Sequence, residues 1–119
     1  MLRRKYKLKK EKDFQKVFNE GKSYYSNFIG LKLINNKLDF NRFAIIISRK
    51  VSKKAVERNK IKRRIEEIIR LNFFNFKKSF DVIIITKKDI LSLSYSEIEG
   101  NLMDLFKKAG FLKSKKDLK

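Results

Sequence analysis

Apolar residues recur at helical spacing in three stretches of this 119-residue chain, and short apolar runs lie between the stretches. In residues 11–20, Phe14, Val17 and Phe18 fall on one face of a helix, at the three- and four-residue spacing that such a face requires. Gly21 follows, and glycine is the residue that most often terminates a helix. The pattern therefore predicts a first helix over residues 11–20.

Two further helices are predicted downstream. In residues 53–73, four isoleucines and one asparagine share one sector, whereas mostly charged residues occupy the opposite side. Ser52 is the candidate cap of that helix. The third helix begins at a capping-box sequence formed by Ser94 and Glu97, carries an apolar face behind it and ends at Gly110.

Apolar runs of strand length lie between the predicted helices. Residues 28–34 alternate apolar side chains on one face, whereas residues 42–48 and 81–86 contain unbroken apolar runs typical of strands buried on both faces. The polar stretch at residues 35–37 predicts a hairpin loop after the first of these strands, and residues 22–25 are a candidate edge strand. This order of elements predicts an α+β fold, with helices packed against one small sheet.

The length of the chain supports one domain, residues 1–119. No internal repeat, low-complexity linker or domain boundary interrupts it. The two ends, about residues 1–10 and 113–119, are basic, and we expect them to be mobile when no partner is bound.

Composition then narrows the class of partner. The chain has 32 Lys+Arg against 13 Asp+Glu, a formal net charge of +19. This charge repels itself in a compact domain, so a polyanionic partner is expected, with nucleic acid as the main candidate. An anionic membrane is the competing partner, but the longest apolar runs, residues 44–47 and 82–85, are far shorter than the roughly 20 residues of a membrane span. No signal peptide follows the basic start, and we expect a cytoplasmic protein.

The chain lacks the residues that most often perform catalysis. It has neither Cys nor His, which removes thiol nucleophiles, zinc sites and the commonest general base. Its carboxylates show no metal-ligand spacing, and the adjacent Glu66 and Glu67 point in different directions on a helix. We therefore expect no catalytic residue in the protein, while a magnesium site formed jointly with RNA phosphates stays open.

The densest basic segment, residues 49–64, holds nine cations and has Glu57 as its only acid. It runs from the end of a predicted strand into the first turns of the 53–73 helix. Phosphates bind well at a helix N-terminus, because its unpaired N–H groups and its dipole add to side-chain charge. Cations at that end oppose the dipole, so their placement indicates an external anion. The segment is the predicted contact with a nucleic-acid backbone, and an ordinary solvated helix face is the alternative.

Aromatic residues are concentrated near the first helix. Phe14 and Phe18 share one helix face, Tyr24 and Tyr25 follow, and Phe28 begins the next strand. If exposed, these rings would stack on unpaired bases, whereas buried rings would only pack the core. The pattern leaves both alternatives open.

Residues 49–63, RKVSKKAVERNKIKR, resemble the signature of the bacterial ribonuclease P protein subunit, in which a run of Lys and Arg is followed by Ala, Arg-Asn-Arg and Ile-Lys-Arg. Residues 8–21, LKKEKDFQKVFNEG, resemble the N-terminal helix of that family. The match spans about residues 6–112. It implies an αβββαβα two-layer sandwich, with helices against a mainly four-stranded sheet and a left-handed βαβ crossover.

The resemblance also implies a function. The protein would be the accessory subunit of an endoribonuclease that removes the 5′ leader from precursor tRNA, while the RNA subunit performs the chemistry with Mg²⁺. The implied partners are the ribonuclease P RNA subunit and precursor tRNA, with no membrane and no DNA. A structural ribosomal-RNA-binding protein of similar size and basicity is the alternative.

Carried over to this chain, the resemblance matches Arg58, Asn59, Lys62 and Arg63 to the RNA-binding motif, Lys50 to a basic position before it, and Phe14 and Phe18 to the leader cleft. The dense cations and the aromatic pattern extend these two sets. Contacts with the RNA subunit are expected from Arg49, Lys50, Lys53, Lys54, Arg58, Asn59, Lys60, Lys62 and Arg63. Leader binding is expected from Phe14, Phe18, Phe28 and Leu31.

Three residues depart from the family pattern. Lys60 replaces the second Arg of the motif, which keeps the charge but loses the bidentate guanidinium. Glu66 stands where the family commonly has another Arg, and Leu31 stands where some members have Tyr. In addition, the loop at residues 51–54 lacks the glycine that many members carry.

Overall fold

The computed structural model describes residues 2–113, so residue 1 and most of the predicted C-terminal end, 114–119, lie outside the described residues. Within that range the elements are α1 Glu11–Glu20, β1 Lys22–Tyr25, β2 Ile29–Asn35, β3 Arg42–Ile46, α2 Ala55–Leu71, β4 Phe80–Thr86 and α3 Tyr95–Lys108. Short 3-10 turns lie at Arg4–Tyr6, Phe73–Asn75 and Lys88–Ser92. The predicted αβββαβα order and the α+β class are confirmed, and the candidate edge strand is β1.

The sheet has the strand order β1-β2-β4-β3, with β3 and β4 parallel and the other neighbours antiparallel. The hairpin predicted at residues 35–37 is therefore wrong, because β4 lies between β2 and β3. The chain leaving β2 crosses the start of β4, where the Asn36 N–H donates to the Ser79 carbonyl (2.9 Å) and the Phe80 N–H donates to Asn41 Oδ1 (2.8 Å). The β3–α2–β4 connection joins parallel neighbours, and its left-handed sense stays an expectation from the resemblance.

Strand alternation divides the sheet into two faces with different covers. One face, which includes Leu31, forms the main core with α2 and α3. The opposite face, which includes Ile83, packs against Val17 of α1. Since α1 has only 10 residues, it leaves Ile46 and Ile85 half buried, and part of this face stays open. None of the helices within residues 2–113 is long and apolar enough to cross a membrane.

Residues 2–8 run along the outer edge of β3. The Leu8 N–H donates to the Phe43 carbonyl at 2.8 Å, and both Leu2 and Leu8 are buried. The Leu2 N–H donates to Glu66 Oε2 at 3.1 Å, which joins this segment to α2. The N-terminal end was expected to be a mobile tail, but residues 2–8 are packed in this structure; mobility of the free protein in solution stays a prediction.

The ends of the helices test three predicted signals. The Glu97 N–H donates to Ser94 Oγ (3.2 Å) and the Ser94 N–H donates to Glu97 Oε1 (2.9 Å), so the capping box of α3 is confirmed. Gly110 follows α3 with φ of 69°, a left-handed conformation that favours glycine. Ser52 does not cap α2, because the cap position is Lys54, whose N–H donates to Ser52 Oγ instead.

Candidate nucleic-acid interface

The basic segment, residues 49–64, forms the loop after β3 and the first half of α2. Its cations are exposed except for Arg58 and Arg64, which are half buried. Val51 anchors the loop, since its side chain is buried in the main core and its N–H donates to the Ser48 carbonyl at 3.1 Å. Because the one apolar residue of the loop is directed inward, the lysines and arginine beside it are directed outward.

Arg58 positions this loop as well as contributing charge. Its Nη1 donates to the Ser52 carbonyl at 2.8 Å. The Ser52 hydroxyl in turn donates to Glu57 and accepts from the Lys54 N–H. Replacement of Arg58 would therefore release the loop that carries the neighbouring cations.

The basic side chains surround two shallow depressions. The first, about 480 Å³, is lined by Arg49, Lys50, Lys53 and Arg58. The second, about 350 Å³, is lined by Val56, Asn59, Lys62, Arg63 and Glu66, which lie along one stripe of α2. Lys54 and Lys60 are exposed but line neither depression. Seven of the nine residues predicted to contact the RNA subunit thus line one or the other of these two depressions.

The first turn of α2 adds backbone donors to these cations. The cap residue Lys54 makes no side-chain hydrogen bond that would satisfy the helix N-terminus. The first N–H groups of a helix have no intrahelical partner, and together with the dipole they favour an anion. A phosphate at this end of α2 would receive hydrogen bonds from the backbone and charge from the side chains.

A second surface, the aromatic cleft, is formed by Phe14, Phe18, Tyr25, Lys32 and Lys87 on the sheet face that α1 covers in part. Phe18 is 43% exposed and Tyr25 is 56% exposed. Lys32 Nζ lies 5.5 Å from the centroid of the Phe18 ring and 5.9 Å from that of Tyr25, and Lys87 Nζ lies 5.3 Å from the Tyr25 centroid. The two exposed rings therefore lie beside two ammonium groups, a combination that proteins use to bind single-stranded nucleic acid.

Gly30 makes room for the Tyr25 ring. The two residues are partners in the β1–β2 register, and a Cβ on Gly30 would come within 3.2 Å of the ring. That separation is tighter than an ordinary van der Waals contact, so a larger residue would displace the ring. The glycine thus allows Tyr25 to lie against β2.

The Tyr25 phenol reports the electrostatics of the cleft. The neighbouring Ser23 and Lys32, together with the charge of Lys87, lower the pKa of Tyr25 from its ordinary value. Lys32 Nζ also donates to Ser23 Oγ at 2.8 Å. The positive potential that favours a phenolate here would also favour a phosphate.

Two of the four residues expected to bind the leader lie elsewhere. Leu31 is fully buried in the main core, because strand alternation directs it away from the cleft, so the expectation that it lines a cleft is wrong. Phe28 is half buried and packs against the same core. Neither residue is brought together with Phe14 and Phe18.

Sequence reasoning missed Lys32 and Lys87, and it left open whether Tyr25 stacks on bases or packs the core. The alternation of β2 contains the signal for Lys32, since a polar residue between Leu31 and Leu33 points to the face opposite the core. Lys87 follows β4 directly, and only the pairing of β4 with β2 brings it to the cleft.

A depression of about 290 Å³ connects the two surfaces. Phe14 from α1 and Lys62 from α2 both line it, with β3 between them. The helices that carry these two residues pack on opposite faces of the sheet, and the depression lies at the β3 edge, where Leu2, Leu8 and the neighbouring lysines of the N-terminal segment also line it. The aromatic cleft and the basic segment are therefore adjoining parts of one surface.

Glu66 lies at the boundary between the two surfaces. It is 3% exposed, and its carboxylate accepts the hydrogen bond from the Leu2 N–H. This residue occupies the position at which the resemblance implies Arg. Its carboxylate holds the N-terminal segment against α2, which is a structural role that an RNA-contacting cation would not have.

No three-residue metal site is present in the described part of the chain. Within residues 2–113, no group of three His, Cys, Asp or Glu side chains lies close enough to hold a metal ion. The Mg²⁺ that the resemblance implies therefore has no such site built from the described residues.

The model of the Ribonuclease P family matches residues 2–110 of this chain. The Ribonuclease P protein component of Clostridium botulinum (strain Langeland) is 38% identical over 105 residues, which cover 87% of this chain and 94% of the relative. The Ribonuclease P protein component of Fusobacterium nucleatum is 41% identical over 104 residues, which cover 84% of this chain and 93% of the relative.

Solved structures give the same family. The RNase P protein of Staphylococcus aureus superposes with a TM-score of 0.84 at 30% identity, covering 91% of this chain and 98% of that chain. The RNase P protein of Thermotoga maritima superposes with a TM-score of 0.78 at 31% identity, covering 86% of this chain and 96% of that chain. The chain therefore belongs to the ribonuclease P protein family, and as a member it is an accessory protein subunit of the endoribonuclease ribonuclease P.

Proposed function

We propose that this chain binds the ribonuclease P RNA subunit through its basic segment and receives the 5′ leader of precursor tRNA in the aromatic cleft. In this way it would assist Mg²⁺-dependent endonucleolytic 5′ maturation of tRNA in the bacterial cytoplasm. The observation that carries the proposal is that Phe14 and Lys62 line one depression. A leader site needs this continuity, because the leader is covalently joined to the tRNA that the RNA subunit must hold.

The basic segment suits a folded RNA with closely spaced phosphates. Arg63 offers a planar guanidinium that binds a phosphate through two hydrogen bonds, whereas Lys60 and Lys62 act as point charges. Asn59 lies on the same stripe as Arg63 and adds an amide donor. Since these contacts are mainly with phosphates, they position the protein on the RNA without reading a base sequence.

The aromatic cleft suits the unpaired leader. Stacking of one base on an exposed ring contributes about 1–3 kcal/mol, and it tolerates any base. Phe18 and Tyr25 provide such rings, and Lys32 provides an ammonium group between them for the phosphate of the same nucleotide. The cleft would therefore bind leaders of varied sequence.

We assign the chemistry of cleavage to the RNA subunit, because the chain lacks several of the groups that most often perform catalysis in proteins. It has no Cys and no His, and its described carboxylates form no cluster of three that would hold Mg²⁺. The proposal therefore assigns Mg²⁺ to the RNA subunit and its phosphates, and it assigns to the protein the binding and orientation of the substrate.

The proposal is tested by adding the folded protein to a bacterial ribonuclease P RNA at low Mg²⁺ and measuring cleavage of precursor tRNA. We expect faster cleavage, and a larger gain for a precursor with an unpaired leader than for one whose leader is sequestered in a duplex. A folded protein that gives no stimulation would overturn the proposal. Binding of a ribosomal RNA fragment with equal or higher affinity, without stimulation, would favour the structural ribosomal alternative.

A further inference from the structure

A second aromatic surface lies at the far end of α2 from the basic segment. Five rings line a pocket of about 290 Å³ there, those of Tyr6, Phe40, Phe73, Phe74 and Phe76. Among residues 2–113, none of the residues that line this pocket has an aliphatic hydrocarbon side chain. Since α2 has 17 residues at a rise of 1.5 Å each, the pocket is about 25 Å from the start of the helix.

Phe74 is the unusual member of this group. Its side chain is 85% exposed, although it belongs to the apolar residue type that folding normally buries. It meets Phe73 edge to face, with centroids 6.1 Å apart and planes at 85°, and Phe73 in turn packs on Tyr6 at 4.8 Å. The Phe74 ring thus stands above a packed aromatic base and presents its own faces to solvent.

The charge around the pocket is positive. Within the described part of the chain, Lys5, Lys78 and Lys113 line it, together with one carboxylate, that of Asp39. Lys5 Nζ lies 4.6 Å from the centroid of the Phe40 ring. An apolar protein segment would meet an excess of cations here and no aliphatic side chain among the described residues. In contrast, an anionic ligand with a flat ring could stack on the aromatic rings and bind the lysines.

We propose that this pocket is a second subsite for single-stranded RNA, in which one unpaired base stacks on Phe74 and the flanking phosphates bind Lys5 and Lys78. A pocket of about 300 Å³ is at the lower end of the range that holds small organic ligands, which suits a single base. The inference goes beyond the proposed function, because it requires neither the leader in the cleft nor the RNA subunit on the basic segment. It gives the protein a second single-strand contact, which shares no residue with the aromatic cleft.

The test is titration of the ¹⁵N-labelled full chain with a short single-stranded RNA of mixed sequence at low salt, followed by amide chemical shifts. We expect shifts at the pocket, reported by Asp39 and Lys78, and separately at the cleft, reported by Lys32. Phe74→Ala and Phe74→Leu should each weaken binding at the pocket about tenfold, since both remove the ring. Leu71→Ala is the matched control, because Leu71 is also exposed (57%) beside this end of α2 but does not line the pocket.

Each outcome decides between the two sites. Shifts at Lys32 without shifts at Asp39 and Lys78 would overturn the second subsite and leave the proposed function intact. Shifts at the pocket alone would support the subsite and count against the leader cleft. Undiminished binding by Phe74→Leu would show apolar docking instead of base stacking, and concentration-dependent shifts at the pocket without RNA would show a second copy of the chain as its occupant; either result overturns the inference.

Discussion

Arg42 and Asp81 form a two-pronged ion pair between the parallel strands β3 and β4. Arg42 Nε donates to Asp81 Oδ1 at 2.8 Å, and Nη2 donates to Oδ2 at 2.7 Å. The remaining prong, Nη1, reaches Asp13 of α1 at 3.3 Å. These hydrogen bonds raise the pKa of Arg42 from its ordinary value. The pair therefore ties α1, which carries Phe14 and Phe18, to the two strands beneath it.

Replacement of Asp81 should destabilise the protein and loosen the cleft. Asp81 is buried, and it also accepts a hydrogen bond from Asn36 Nδ2 at 2.9 Å. Asp81→Asn would leave the Arg42 guanidinium without its main charged partner, so we expect a loss of about 2–3 kcal/mol in the free energy of unfolding. Urea denaturation measures this loss. Glu67→Gln is the matched control, because its ion pair with Arg70 is exposed and should contribute little; equal losses in both variants would contradict the prediction.

The phenol of Tyr25 should ionise below the ordinary tyrosine pKa of about 10. Its shift comes from Ser23, Lys32 and Lys87, so Lys32→Met should move the pKa of Tyr25 back upward. Because the folded state favours the phenolate, ionisation of Tyr25 increases the free energy of unfolding. This increase begins only as the pH rises through the lowered pKa. Tyrosinate absorbance, with Tyr25→Phe subtracted to remove the other tyrosines, measures the titration. An unchanged pKa in Lys32→Met would show that Lys32 does not determine the potential of the cleft.

Substitutions at Phe14 and Phe18 should affect different properties, stability for Phe14 and leader binding for Phe18. Phe14 is half buried against Val17 and Ile83, so Phe14→Ala should lower stability by about 2 kcal/mol. Phe18 is much more exposed, and Phe18→Ala should leave stability nearly unchanged while weakening binding of precursor tRNA about tenfold. Binding of leaderless tRNA should not change in Phe18→Ala, and Leu71→Ala serves as the exposed apolar control. Equal weakening with and without the leader would place Phe18 outside the leader site.

Local sequence patterns predicted the helices and strands well, because their signals lie within a few residues of each other. The helix at Glu11–Glu20 has the predicted bounds, and the capping box of Ser94 and Glu97 forms as expected. The basic segment was also predictable, since all its cations lie on one loop and one helix. Interactions between residues that are close in sequence determine such features, so the sequence alone can predict them.

Features that depend on long-range pairing were not predictable in the same way. The position of β4 between β2 and β3 depends on pairing between residues that are far apart in the sequence, and no residue near positions 35–37 indicates it. Helices α2 and α3 cover one face of β2, and the opposite face is directed to the cleft. Leu31 therefore lies in the core, whereas Lys32 lies on the cleft side. Lys87 joins the cleft for the same reason, because only the pairing of β2 with β4 brings it near Tyr25.

Binding of RNA by the basic segment should depend steeply on salt, and particular cations should account for the slope. Each phosphate contact contributes about 0.7–0.9 to the slope of log affinity against log salt concentration, because binding releases a condensed counterion. Lys62 and Arg63 are exposed and line the same depression of α2, so Lys62→Ala with Arg63→Ala should weaken binding to the RNA subunit and flatten the slope by about 1.5. Lys107→Ala with Lys108→Ala removes the same charge from exposed positions at the end of α3, and it is the matched control. Filter binding across a salt series measures the slope for both double variants. A larger effect of the α2 pair would show that the RNA phosphates lie at the basic segment. Equal flattening by the two double variants would show that net charge alone governs binding.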